Sequence, residues 1–178
     1  MQELNQILAQ ATASIEHLYF QLPIDGSDPI FRERVYCYEL YHQLRRLWPQ
    51  ETPFSLNGEV DKQGHALIKA KGARVASPDL LIHTPGSMDG NHAIIEVKPG
   101  SAQLNGVCKD IRTLSEYCTL IGYKRAIYLF YGGLPLPLIK RAIKCVANEG
   151  KPILPIELWF HPHPGTPAEA IGTLQQFA

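Results

Sequence analysis

Leu4, Ile7, Leu8, Ala11, Ile15 and Leu18 recur at helical spacing, so residues 2–20 are predicted as one amphipathic helix. Leu22 to Ser27 reads as a loop. A second helix is expected to begin at Asp28-Pro29, where aspartate suits the N-cap and proline the first turn, and to stop before Pro49. Short strands are predicted at about 54–60, 66–71, 79–83 and 93–98. A helix over about 102–121 follows, with Leu104, Val107, Ile111, Leu114, Cys118 and Ile121 on one face. Residues 125–131 are an apolar run with aromatic members, as expected of a strand buried on both faces. A helix over 135–148 and a strand over 153–160 come next, and His161-Pro162-His163-Pro164 and the tail read as irregular.

That order predicts an α/β domain with a mixed sheet flanked by helices. Antiparallel hairpins come first, and crossover helices then bring in parallel strands. No repeat, low-complexity tract or linker divides the 178 residues, so a single domain is expected, with its core at about 28–160.

Composition narrows the class. A chain 45% hydrophobic and 19% charged can build a core and is not a disordered tail. The N-terminus lacks a basic segment followed by an apolar stretch, and no apolar run reaches the ~18–20 residues of a membrane span. A soluble, cytoplasmic protein is the expectation. Cys37, Cys108, Cys118 and Cys145 form no C-x-x-C pair and fall in helical segments, so they read as reduced core residues rather than zinc ligands or disulfides. Net charge is zero, yet all 17 Lys and Arg lie between Arg32 and Lys151, a stretch with an excess of six positive charges. Such a body either neutralises phosphates locally or is an ordinary mixed surface.

The candidate chemistry lies in two segments, Pro78-Asp79-Leu80-Leu81-Ile82-His83 and Ala93-Ile94-Ile95-Glu96-Val97-Lys98-Pro99. Side chains alternate along a strand, so Ile94, Glu96 and Lys98 share one face. Charges on a strand this apolar are expensive to bury without a partner or a task. The loop 84–91 is rich in Gly, Ser, Asp and Pro and reads as a hairpin centred on 87.5, which is also the midpoint of Asp79 and Glu96. A regular hairpin therefore sets these carboxylates across from one another, roughly 5 Å apart at Cβ. Facing carboxylates suit a hard cation such as Mg²⁺. The lysine beside them can orient or deprotonate an attacking water, or balance developing negative charge.

Pro78-Asp79, a gap of 16 residues, then Glu96-Val97-Lys98 resembles the PD-(D/E)XK nuclease superfamily, whose fold is restriction-endonuclease-like. The resemblance covers about 28–131, including a helix-strand-strand-strand-helix-strand core order. It implies that Asp79 and Glu96 bind Mg²⁺ or Mn²⁺ with the main-chain oxygen of Val97, and that Lys98 assists catalysis. Its further implication is a Mg-dependent endonuclease acting on phosphodiester bonds, most often in DNA. Many relatives add an acid on the first core helix. Glu33 lies within about 30° of the apolar stripe of Cys37, Leu40, Tyr41, Leu44, Leu47 and Trp48, and is favoured over Glu39, which lies nearly opposite beside Arg32, Gln43 and Arg46.

His83 shares a strand face with Asp79 and either borders the site or is a loop-end histidine without a role. His161 and His163 read as part of a stiff tail rather than a metal pair. Lys69 and Lys71 are candidate phosphate contacts or strand-edge lysines, and Lys109 and Arg112 are candidates to line the cleft. Three functions compete. The first is a metal-dependent nuclease, plausibly a homodimer. The second is a catalytically silent nuclease-fold scaffold for nucleic acid or protein. The third is a metal hydrolase of small substrates. Alanine at Asp79, Glu96 or Lys98 is expected to remove cleavage and spare the fold.

Overall fold

A computed structural model describes residues 3–59, 77–150 and 154–177. The expected N-terminal helix is two pieces, α1 (Leu4–Ala13) and α2 (His17–Phe20). The hydroxyls of Thr12 and Ser14 turn back to the carbonyls of Leu8 and Gln10. Such bonds compete with helix continuation. Leu18, expected on the apolar face, is exposed as a result, whereas Ile15 stays buried.

The segment expected to cap the second helix is instead a hairpin of β1 (Leu22–Ile24) and β2 (Ser27–Ile30). Ile24 pairs with Ser27, leaving Asp25-Gly26 as a two-residue turn with Gly26 at φ +73°. Asp-Gly is a strong turn signal because glycine reaches the left-handed region without strain. Helix α3 therefore starts four residues later than expected and spans Glu33–Leu47.

The remaining strands are β3 (Ser55–Gly58), β4 (Leu80–His83), β5 (Asn91–Pro99), β6 (Arg125–Tyr131), β7 (Ile156–His161) and β8 (Glu169–Thr173). They form one mixed sheet in the order β3-β4-β5-β6-β7-β8. β3, β4 and β5 are antiparallel, β5, β6 and β7 parallel, and β8 antiparallel to β7. Helix α4 (Leu104–Glu116), extended by a π-helical turn to Ile121, crosses from β5 to β6. Helix α5 (Leu136–Ala147) crosses from β6 to β7. The chain is thus an α/β protein with a six-stranded mixed sheet and, among the described residues, five α-helices. The tail read as irregular contains β8 and a 3₁₀ turn at Leu174–Phe177, which its short polar sequence did not signal. The strand expected at 66–71 lies outside the described residues.

Each sheet face carries its own apolar core. Ala93, Ile95, Val97, Ile127 and Leu129 pack with α1 and α3. Leu81, Ile94, Ala126, Tyr128 and Phe130 pack with α4 and α5. Strict alternation along β5 and β6 feeds both layers, and each fully buried Leu or Ile contributes about 1.5–3 kcal/mol. Both crossover helices lie on the second face. At the ends of β5 and β6 a Cβ on Gly100 would fall 2.5 Å from the Cα of Gly133, so the two exit loops touch backbone to backbone.

Tyr36 anchors α3. Its ring stacks on Tyr131 at 3.9 Å and its hydroxyl bonds His161 Nδ1 at 2.7 Å, all buried. Burial lowers the His161 pKa to about 4, so it is neutral at physiological pH. His161 is therefore a core residue at the end of β7 and not part of an extended tail. Cys37 and Cys108 are buried as expected, Cys118 is half-buried, and Cys145 is exposed, contrary to the core reading. No helix among the described residues is long and apolar enough to cross a membrane.

Candidate active site

The β4–β5 ladder pairs Leu80 with Ile95, Leu81 with Ile94 and Ile82 with Ala93, the register expected from the loop midpoint, and slips only at His83 and Asn91. One further step sets Asp79 across from Glu96. The ladder has ended there, and Asp79 Oδ2 accepts the Val97 N–H at 2.7 Å. The next step sets Pro78 opposite Val97, and proline has no N–H to give. In an antiparallel pair the N–H and C=O of one residue point the same way, so the Val97 carbonyl faces this side with no ladder donor opposite it.

Glu96 is buried on the α4 face of the sheet. Two residues on, Lys98 Nζ lies 2.7 Å from Glu33 Oε1 and 3.3 Å from Asp110 Oδ2. Tyr128 on β6 donates its hydroxyl to Asp110 Oδ2 at 2.9 Å. Glu33 arrives from the first turn of α3 and Asp110 from the middle of α4, so the ammonium joins helices from opposite faces of the sheet. Glu33, Asp79, Glu96, Lys98, Lys109 and Asp110 border a polar cavity of ≈ 320 Å³.

Burial pushes the Asp79 carboxyl up to about 6, although the Val97 N–H and the Lys98 charge pull the other way. Glu96 rises well above the carboxylate range, through burial first and then the charges of Asp79 and Asp110. The two carboxyls lie close enough for each to shift the pKa of the other. Burial alone would lower Lys98, but Asp110, Glu33 and Asp79 outweigh it and hold the ammonium above its ordinary value. Lys98 is thus a cation at neutral pH. Of the roles open to it, orienting water and balancing charge fit this environment, and deprotonating water does not.

Among the described residues no group of three His, Cys, Asp or Glu side chains is arranged to hold a metal ion. The donor set that fits is two carboxylates, Asp79 and Glu96, with the Val97 carbonyl. All are oxygens, as a hard cation that keeps several waters requires. The Lys98 charge only partly offsets the burial of these two carboxyls, and a divalent cation would displace a bound proton and supply the rest. Pro78→Ala introduces an N–H able to bond the Val97 carbonyl. It is expected to weaken Mg²⁺ binding by roughly tenfold in calorimetry, without removing any ligand. Unchanged affinity would exclude that carbonyl from the site.

Of the other residues singled out in the sequence, Lys109 borders the cavity, whereas Arg112 pairs with Glu149 near the end of α5. Glu39 accepts from Gln43 and does not border the cavity. His83 bonds Asn57 Oδ1 at 2.9 Å, at the end of β4 away from Asp79. Lys69 and Lys71 lie outside the described residues. Sequence reasoning missed Asp110. It lies three residues after Val107 and four before Leu114, inside the apolar stripe of α4, which is the signal that singled out Glu33 on α3.

No family model, curated protein or solved structure matches the chain.

Proposed function

We propose that this protein is a metal-dependent nuclease of the PD-(D/E)XK type, with a restriction-endonuclease-like fold, hydrolysing phosphodiester bonds, first of all in DNA. The observation that carries the reading is the meeting of Asp79, Glu96 and Lys98 around one polar cavity at the end of the β4–β5 hairpin. Among the described residues the succession α3, β3, β4, β5, α4, β6 supports it, being the expected core order.

Asp79, Glu96 and the Val97 carbonyl would hold Mg²⁺ or Mn²⁺. When bound, the cation supplies polarisation of a phosphoryl oxygen and a water of lowered pKa. Lys98 hydrogen-bonds the attacking water and offsets charge that grows on the phosphoryl oxygens. Glu33 and Asp110 position that ammonium from either side. A second copy of the chain would serve to embrace the far strand of a duplex.

One observation favours a silent nuclease-fold scaffold instead: Lys98 is already bound by two carboxylates. Incubation of single-stranded, double-stranded and branched DNA and RNA with Mg²⁺ or Mn²⁺ separates the readings. Cutting that Lys98→Ala loses is expected. Absence of cutting on every substrate, with no metal binding in calorimetry, selects the scaffold.

A further inference from the structure

We propose that the outer face of α3 and the edge of β3 form a track for single-stranded nucleic acid that leads into the candidate active site. The proposal rests on the nuclease reading for its endpoint and on independent features for its occupant.

Arg34, Tyr38, Tyr41, Arg45 and Trp48 follow one another at steps of four, three, four and three residues along α3 and its C-cap. At 100° per residue all five stay within about 40° of one line, over about 21 Å. Two basic and three aromatic side chains are therefore interleaved along a single stripe.

Three concavities lie along it. The first is the polar cavity, which Arg34 and Glu59 also border. The second, ≈ 440 Å³, has Tyr38 and Tyr41 on one wall and Asn57 and Gly58 on the other, and shares Asp79 and Glu59 with the first. The third, ≈ 420 Å³, has Arg45 and Trp48 facing Ser55. Residue numbers rise along the α3 wall as they fall along the β3 wall. The first two adjoin through Glu59 and Asp79, and the third follows farther along α3, beside the first residue of β3 and the loop that precedes it.

The chemistry along these concavities selects the occupant. Guanidinium groups attract phosphates, and aromatic faces accept bases. Tyr41 and Trp48 pack against the core, and the Trp48 indole donates to the Phe54 carbonyl at 2.9 Å, so these rings are fixed platforms. Tyr38 is 60% exposed over the middle concavity, although hydrophobic residues elsewhere on α3 are mostly buried. Arg34 pairs with Glu59 at 3.3 Å with both side chains exposed, a weak contact that a phosphate can displace. Bases of an intact duplex are stacked on one another and present no free face to tyrosine, whereas a single strand or an unpaired end does.

The test is fluorescence anisotropy in EDTA, so that binding is read without cutting. The probes are a labelled DNA strand of about 12 nucleotides and the matching blunt duplex. The single strand is expected to bind about tenfold tighter than the duplex, Tyr38→Ala and Arg45→Ala each to weaken it about tenfold, and Tyr38→Trp to retain it. Arg45→Ala should also reduce the slope of log affinity against log salt by about 0.7. Both positions are solvent-facing, and circular dichroism of each variant verifies its fold. Equal binding of strand and duplex, no binding of either, or full binding by both alanine variants overturns the track. So does a dimer in light scattering that Tyr38→Ala dissociates, since a second copy would then own this face. The two readings fail separately. If the wild type cuts with Mg²⁺ and both alanine variants bind and cut as it does, the track fails and the nuclease stands. If binding needs Tyr38 and Arg45 but no metal brings cutting, the nuclease fails and the track stands.

Discussion

Lys98→Met is expected to lower metal-dependent cleavage by about 10³-fold, the scale of losing one preorganised donor to a developing phosphoryl charge. The same change is expected to destabilise the protein, contrary to the sequence expectation that the fold is indifferent to it. Asp110, 4% exposed, would keep its buried carboxyl with Tyr128 as its one side-chain partner among the described residues. Breaking a buried pair from one side costs roughly 3–5 kcal/mol. Glu33 is 36% exposed and screened by solvent, so about 3 kcal/mol is the better figure. Asp110 can take up a proton to relieve the loss, so the deficit should be smaller at pH 5 than at pH 8 in urea denaturation. Lys98→Arg is not expected to rescue activity, because a planar fork cannot replace a compact ammonium between two carboxylates. Cleavage persisting at wild-type rate in Lys98→Met would remove Lys98 from the chemistry.

Without divalent metal, the protein is expected to lose stability as pH rises. The folded-state value of Asp79 is about 6, against an ordinary 3.8, with burial as the main cause. The folded state therefore holds this proton more tightly than the unfolded chain does. The associated stability is fully present below about pH 4 and is lost as pH passes through about 6, up to about 2–3 kcal/mol in all. Glu96 is shifted in the same direction and extends the decline to higher pH. Glu96→Gln carries no charge at any pH and removes the repulsion that Glu96 and Asp79 exert on one another. Its metal-free stability at pH 8 should exceed that of the wild type by about 1–3 kcal/mol, while Mg²⁺ binding and cleavage disappear. In the wild type, millimolar Mg²⁺ should restore at pH 8 the stability that EDTA reveals as missing. A wild-type curve in EDTA that climbs from pH 5 to pH 8 would contradict this electrostatic account.

Much of the architecture was legible because it rests on local pattern. The apolar run 125–131 coincides with β6, and the midpoint of the Gly/Pro/Asp-rich loop gave the β4–β5 register. The preference for Glu33 over Glu39 followed from helical angles, once the resemblance called for an acid on that helix. What escaped was non-local or masked by a rival local signal. Asp28-Pro29 looked like a helix start and hid the Asp25-Gly26 turn beside it. β8 is short and exists through its pairing with β7, which no feature of residues 169–173 announces. Asp110 becomes intelligible only when a parallel strand brings the Tyr128 hydroxyl to it from 18 residues away. Lys98 could be placed on a face from sequence, but its two partners from different layers could not.

That double attachment bears on how the molecule is held shut. Elsewhere the helices are fastened to the sheet mainly by interlocking apolar side chains, which ions in solution do not disturb. Beside the polar cavity, the layer carrying α3 and the layer carrying α4 are joined through one ammonium gripped by Glu33 on one side and Asp110 on the other. A fastening made of charge responds to its surroundings: dissolved ions weaken its outer half, and an incoming phosphate competes for the same cation. The seam between the layers is thus most sensitive to ionic strength beside the polar cavity, where Glu33 is partly exposed.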